Sequence, residues 1–327
     1  MIMPKVSVVM TTYNQEAFIG STIASVTGQS IPDWELIAVD DGSRDACHAI
    51  ATEYSRQDSR IHAFPKENGG HSSALNFGYK KCASDSPYVF FLDGDDMIYP
   101  EYLDVMSAYL DSHPNAGLVC CHSDRCDADG SNRRYNHRGR WAPGVCGFPR
   151  DLPAAETRTP FVTFFCATGQ GMTGLYRRAV FEQTEGWDCR LTRHEDTDMF
   201  CQMALLAEVH YLPRVLYTYR LHGKNVTRLS DEEAGNIFQT FTLEAHKVFR
   251  EKWNSYIPRN AHERKTLDAA KRYYYGVHRP LRHLKICLES IRLFLKTGDV
   301  RSLKWAMQLV KFFFVDASKY WFLGRTE

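Results

Sequence analysis

Between residues 6 and 110 the chain alternates strand-length apolar runs with segments of helical period, and this alternation restricts the fold more than any other feature. The pairs are Val6–Met10 with Ala17–Thr27, Glu35–Val39 with Ala46–Arg56, Ile61–Phe64 with Ser73–Cys82, and Tyr88–Leu92 with Glu101–Leu110. Successive strand-helix pairs predict an α/β fold: a mostly parallel sheet, flanked by helices through right-handed crossovers, with functional loops at the carboxyl ends of the strands. The residues at those ends are Thr11 to Asn14, Asp40 to Ser43, Asn68 to Gly70, and Asp93 to Asp96. All four sets are polar, and they are expected to converge on one crevice of the kind that binds nucleotides.

A length of 327 residues with 44% hydrophobic content supports one large domain and an appendage. The 40 Lys and Arg against 39 Asp and Glu leave a formal charge of +1, so no global field draws nucleic acid, and no nucleic-acid role is expected. The opening MIMPKVSVVMTTYNQ lacks the charged start and apolar core of an export signal. No uninterrupted apolar stretch reaches the ~20 residues a membrane span needs. The expectation is a cytoplasmic protein, soluble or peripheral on the inner face of the membrane. The ten cysteines are scattered without a C-x-x-C, which points to reduced thiols rather than zinc.

From Gly117 to about Arg220 the pattern is less regular, and the Gly, Arg and Pro-rich stretch from Asp129 to Pro160 reads as loop. A boundary near residue 225 is expected, because Ser230 and Glu233 are spaced as a capping box ahead of a helical pattern through Ile237, Phe241, Val248 and Trp253. Residues 226–327 therefore read as an α-helical C-terminal region. Its end predicts a helical hairpin, with Leu281, Leu284, Leu288, Ile291 and Leu295 answered by Val300, Leu303, Met307, Val310 and Phe314 around Gly298. A basic excess there suits packing, a second copy of the chain, or an anionic membrane surface.

The most pointed chemical feature is FLDGDD, in which Asp93, Asp95 and Asp96 follow an apolar strand within four residues. So much like charge in a partly buried place calls for a cation, and hard oxygen ligands suit Mg²⁺ or Mn²⁺. Taken alone it could also be a solvated acidic turn. In DDGS, Asp41 can accept from a base N–H or a ribose hydroxyl, although Asp-Gly-Ser is common turn chemistry. TTYN could simply start a helix. HEDTDMF sets His194, Glu195, Asp196 and Asp198 at the head of a helix, where acids are favoured by the dipole and where one could instead deprotonate an acceptor hydroxyl.

Together these residues resemble the inverting family-2 glycosyltransferases of the GT-A fold. VSVVMTTYNQEAFIGSTIASVTGQ, VDDGSRD, ENGGHSSALNFGY, FLDGDD, HEDTDM and YRLHG occur in that family's order and approximate spacing over about residues 4–225. The resemblance implies a GT-A domain over 1–225, with a nucleotide-sugar half (1–116) and an acceptor half (117–225). It implies that Thr11, Tyr13, Asp41, Asn68, Asp93 and Asp95 bind the donor, that Asp196 is the catalytic base with Glu195 beside it, and that Asp93, Asp95, Asp96 and His222 serve a divalent metal. A uridine nucleotide is favoured by family habit, and a cell-surface saccharide or glycolipid is the implied acceptor. Leu75 departs from the pattern, standing where many members carry an Arg before Asn76; Lys66 or His71 could supply that cation. A nucleotidyltransferase would carry a Gly-rich basic loop after the first strand, which TTYNQE lacks. A catalytically silent nucleotide-sugar-binding or scaffolding module is the other alternative, and the intact acidic motifs argue against it.

Overall fold

The computed structural model of the chain describes residues 3–135, 172–192 and 195–223, together with 225, 248, 251–253, 255–261, 263, 264 and 267. All of these belong to one compact unit, Met1–Gly139 with Pro153–Leu267. His194, the capping box at Ser230 and the C-terminal hairpin lie outside the described residues. Among the described residues no helix is long and apolar enough to cross a membrane.

The elements follow the alternation closely. They are β1 (Val6–Thr12), α1 (Glu16–Thr27), β2 (Trp34–Asp40), α2 (Cys47–Gln57), β3 (Ile61–Pro65), α3 (His71–Tyr79), β4 (Tyr88–Asp93), β5 (Met97–Ile98) and α4 (Tyr102–Ser112), then β6 (Ala116–Asp127), β7 (Arg134–Tyr135), β8 (Gly174–Arg177), α5 (Arg178–Phe181), α6 (Glu195–Leu206) and β9 (Glu208–Leu221). One sheet runs in the order β3-β2-β1-β4-β8-β6-β9-β5, with β7 paired to β6. Strands β3, β2, β1 and β4 are all parallel. Beyond them the sheet is mixed, because β8 lies antiparallel to both β4 and β6 while β6 and β9 are parallel.

Continuous apolar runs imply strands covered on both faces, and the core is built that way. Val6, Val8 and Met10 of β1 pack under α1, α2 and α4 with Ile19, Ile23, Ala51, Leu103 and Met106. Val9, Val89 and Phe91 face the other layer, with Leu75, Phe181, Trp187, Phe200 and Met203. Helix α3 closes on the sheet because position 78 has no side chain: a Cβ there would stand 2.4 Å from Val9 Cγ1.

The region read as irregular contains two of the longest strands. β6 and β9 pair over most of their lengths, but the register shifts between Ala116 and Leu118 and on both sides of His122. Bulges of this kind interrupt the two-residue alternation, so the period-2 signal was lost in the sequence. Within the stretch read as loop, Arg134 and Tyr135 pair with β6.

Candidate active site

In the strand order 3-2-1-4 the connections run outward from β1 on both sides, and the point where they diverge, between β1 and β4, is where such sheets open a crevice. Thr11 of β1 is in register with Asp93 of β4, and Thr12 with Asp40 of β2. Three of the four polar sets are thereby brought to one edge. The turn after β4 is held from both sides, since Gly94 N–H donates to the Thr11 carbonyl at 2.8 Å and Thr22 Oγ1 donates to the Gly94 carbonyl at 2.9 Å. A Cβ at Gly94 would lie 2.8 Å from the Thr11 carbonyl oxygen and 2.9 Å from Thr12 Cβ, so only glycine fits between the two acids.

Asp93, Asp95 and Asp96 each place a carboxylate oxygen within 4.8 Å of the others, and among the described residues they form the one such group that could hold a metal ion. Their settings differ. Asp93 is partly exposed, whereas Asp95 and Asp96 are buried. Asp95 Oδ2 meets His222 Nε2 at 2.8 Å, and the His222 ring stacks on Phe18 with centroids 4.3 Å apart. Asp96 accepts from the Tyr217 hydroxyl at 2.6 Å and from Arg220 N–H at 2.9 Å. Burial, and then the charges of Asp95 and Asp93, push the Asp96 carboxyl well above the usual range. The Arg220 guanidinium underlies the cluster, donating to the carbonyls of Asp95 and Ala128 and to Ser21 Oγ. Arg220 and Tyr217 were not singled out from the sequence; only their contacts reveal them.

Asp41 is buried and closes the loop from 66 to 70 around itself. Its Oδ1 pairs with Lys66 Nζ and accepts Gly69 N–H at 3.1 Å, and its Oδ2 accepts Gly70 N–H at 2.9 Å. Asn68 Nδ2 donates to the Asp41 carbonyl at 2.8 Å. Gly42 is in the left-handed region at φ +76°, and its Cβ would stand 2.8 Å from the Asn68 nitrogen. Tyr13 stays 47% exposed beside this loop system, an open aromatic face at the end of β1.

His71, at the start of α3, joins two motifs that lie about a hundred residues apart in sequence. Its Nδ1 is 3.0 Å from Glu195 Oε1 and its Nε2 is 3.1 Å from Asp93 Oδ1. Burial alone would depress the imidazole, but the Asp93 and Glu195 carboxylates outweigh it and hold His71 well above its ordinary pKa. Beside Glu195, Asp196 Oδ1 accepts the Thr197 N–H at 2.6 Å. Burial first, and the charge of Glu195 second, raise the Asp196 carboxyl to about 7.

Leu75 is fully buried in the second core and does not line the crevice. Lys66 is committed to Asp41 and His71 to two carboxylates, so the two basic side chains proposed as substitutes already have acidic partners. Leu75→Arg is expected to destabilise the fold by about 3 kcal/mol or more through an unpaired buried charge, read as a lower denaturation midpoint. It should not restore a cationic contact in the crevice.

This is an α/β crevice in which one imidazole joins an acidic cluster, through Asp93, to Glu195, the neighbour of the raised Asp196 carboxyl. Residues 7–184, more than half of the chain, match the model of glycosyl transferase family 2, and the chain belongs to that family. Among curated relatives it is 41% identical over 97 residues to the uncharacterized glycosyltransferase EpsJ of Bacillus subtilis, covering 30% of this chain and 28% of that protein. It is 26% identical over 234 residues to the glycosyltransferase GlyA of Streptococcus pneumoniae, covering 70% of this chain and 32% of that protein. The matches thus span roughly a third or less of these two relatives. Among solved structures, Staphylococcus aureus TarS 1-349 in complex with UDP-GlcNAc superposes with a TM-score of 0.54 at 16% identity, over 94% of this chain and 91% of that one. The mannosyltransferase PcManGT from Pyrobaculum calidifontis, in complex with GDP-Man and Mn²⁺, gives 0.57 at 15% identity, over 97% and 83%. The shared architecture is the GT-A type of mixed sheet with flanking helices.

Proposed function

We propose that the chain is an inverting glycosyltransferase. It moves a sugar from a nucleoside-diphosphate sugar, with UDP-sugars favoured, to a hydroxyl of a saccharide or glycolipid acceptor. The observation that carries this reading is the His71 bridge, which brings the D-x-D acids and the E-D pair into one crevice. The UDP-GlcNAc and GDP-Man held by the two structural neighbours support a nucleotide-sugar donor. The family resemblance supports a role in cell-surface polysaccharide or glycolipid synthesis. It also accords with peripheral placement at the inner membrane face through the basic C-terminal residues.

In this reading Tyr13 offers its open face to the nucleotide base. Asp41 keeps acceptor capacity on Oδ2 for a base N–H, since only Gly70 N–H occupies that oxygen among the described contacts. Thr11 and Asn68 complete the donor pocket. The acidic cluster fits a hard divalent cation, Mn²⁺ or Mg²⁺, because its oxygens converge and a cation relieves the repulsion that raises Asp96. Asp93 and Asp95 would hold the ion, with Asp96 and His222 steadying Asp95 and its turn. Such an ion supplies positive charge to the departing nucleoside diphosphate.

Asp196 takes the proton of the acceptor hydroxyl as that oxygen attacks the anomeric carbon from the face opposite the leaving group, which inverts configuration. A carboxyl raised to about 7 is well matched to this task near neutral pH. Glu195, held by His71, fixes a negative charge beside it. The test is release of nucleoside diphosphate from a panel of nucleotide sugars with Mn²⁺ or Mg²⁺ and then with chelator. Metal-dependent release from one donor is the expected result. Nucleotide binding without release from any donor, with mixed acceptors present, would instead identify a silent binding module.

A further inference from the structure

Asp198, the last acid of the E-D-T-D run, is 1% exposed and surrounded by donors. Its Oδ1 accepts the Trp253 indole N–H at 2.9 Å, and its Oδ2 accepts Lys252 Nζ at 2.9 Å and Gln202 Nε2 at 2.8 Å. Lys252 Nζ also reaches Glu185 Oε2 at 3.0 Å. Trp253 itself is 2% exposed, so the pair is packed into the unit rather than laid on its surface. Both residues lie well beyond the family-matched span.

The bonds continue from there. Gln202 donates to the Gly186 carbonyl at 3.0 Å and accepts Glu185 N–H at 2.8 Å. Trp187 N–H donates to Asn76 Oδ1 at 3.0 Å, and Asn76 Nδ2 returns a bond to the Trp187 carbonyl at 2.7 Å. The first turn of α6 is therefore tied at two points. His71 holds it at Glu195, and Lys252 with Trp253 holds it at Asp198. Asp196 stands between the two ties.

We propose that Lys252 and Trp253 form a positioning clamp for the base-bearing helix: by fixing Asp198 they set where Asp196 stands, so a segment 54 residues further along the chain from Asp198 completes the active site. The inference rests on reading Asp196 as the acceptor base. Asp198 is accordingly an anchor and not a second base, and both clamp residues act through it without touching substrate. A buried carboxylate needs such donors, and the choice of donors from a distant segment couples that segment's docking to the geometry of the base. Loss of one donor lets the first turn of α6 shift, and small displacements of a catalytic group are costly to the chemical step while leaving donor binding in the other half of the crevice intact.

The experiment uses the full chain with Trp253→Phe, which keeps the ring and removes the N–H, and Lys252→Met beside Lys252→Arg. UDP with Mn²⁺ serves as the binding probe by calorimetry. Turnover is followed as nucleoside-diphosphate release, and amide exchange is read at Thr197 to Phe200. The expected result is a fall in kcat of about 10-fold or more for Trp253→Phe and Lys252→Met, faster exchange in that turn, and donor KM and UDP affinity within about 2-fold. Lys252→Arg is expected to recover most of the loss. Should Trp253→Phe not fold, the contrast between Lys252→Met and Lys252→Arg decides the matter. Wild-type turnover with unchanged kcat in the variants, even with a lowered melting temperature, would show a merely structural clamp and overturn the inference alone. If the wild type binds UDP but is as inactive as Asp196→Asn with every donor, the glycosyltransferase reading fails, and the clamp falls with it.

Discussion

Asp196→Asn should lose about 10³-fold in turnover while making the protein more stable. The two effects have one origin. Burial and the neighbouring Glu195 charge raise the Asp196 carboxyl to about 7, so at neutral pH and above the fold carries an ionised group in a place that disfavours ionisation. In the unfolded chain the same group titrates near 4, as an ordinary aspartate does. Between about pH 4 and pH 7 the native state therefore binds more protons than the unfolded state, and this residue's contribution to stability falls as pH rises through that window. The amide cannot ionise and escapes the cost. The expected gain is on the order of 2 kcal/mol at pH 8, or several degrees in melting temperature, and it should vanish toward pH 4. In the wild type, kcat should rise with pH around a midpoint near 7, because the base works only when deprotonated. Thermal melts at pH 4, 6 and 8 with matching pH-rate profiles check both. A variant that is inactive but no more stable at pH 8 would remove the strained-base argument.

Asp95→Ala should cost a comparable factor, about 10³-fold, and should abolish the dependence of turnover on divalent cation. Asp95 is tied to its surroundings at two points: its carboxylate pairs with His222, and its carbonyl accepts from Arg220. Removing the side chain takes away one oxygen of the converging set and leaves the buried His222 ring without that acceptor. It also removes a neighbouring negative charge that, after burial, does most to hold Asp96 high. Stability is therefore expected to change little, since relief of repulsion offsets the lost hydrogen bond. Mn²⁺ binding followed by electron paramagnetic resonance, beside turnover with and without chelator, separates the losses. Retention of metal-dependent turnover within about 10-fold would move the ion to other residues.

Much of the architecture of residues 6 to 112 was legible in the chain. Four strand-helix pairs were placed within a few residues of their ends, because each is a local pattern of apolar spacing that both faces of a covered sheet reinforce. The acidic and polar strand ends were readable for the same reason, since a parallel sheet sends all its carboxyl ends to one edge. The mixed part of the sheet was not. β6 and β9 are bulged strands whose side-chain alternation is interrupted, and their pairing joins residues some ninety positions apart. Local patterning carries no record of such pairing.

The site divides along the same line. That Asp93, Asp95, Asp96, Glu195 and Asp196 are candidates for the chemistry came from their place in motifs that resemble those of the family. Their differences did not, because a carboxylate's role depends on what surrounds it. Asp96 is claimed by Tyr217 and Arg220, Asp198 by Lys252 and Trp253, and Asp93 and Glu195 by one histidine. Leu75 is a core residue and not a vacancy in a phosphate site, which only its burial reveals. The sequence by itself determined the covered parallel core and the inventory of acids, both written in short-range periodicity and composition. The tertiary structure alone decided which acid is desolvated and which partner anchors each of the others, because desolvation and hydrogen bonding are set by neighbours that are far away along the chain.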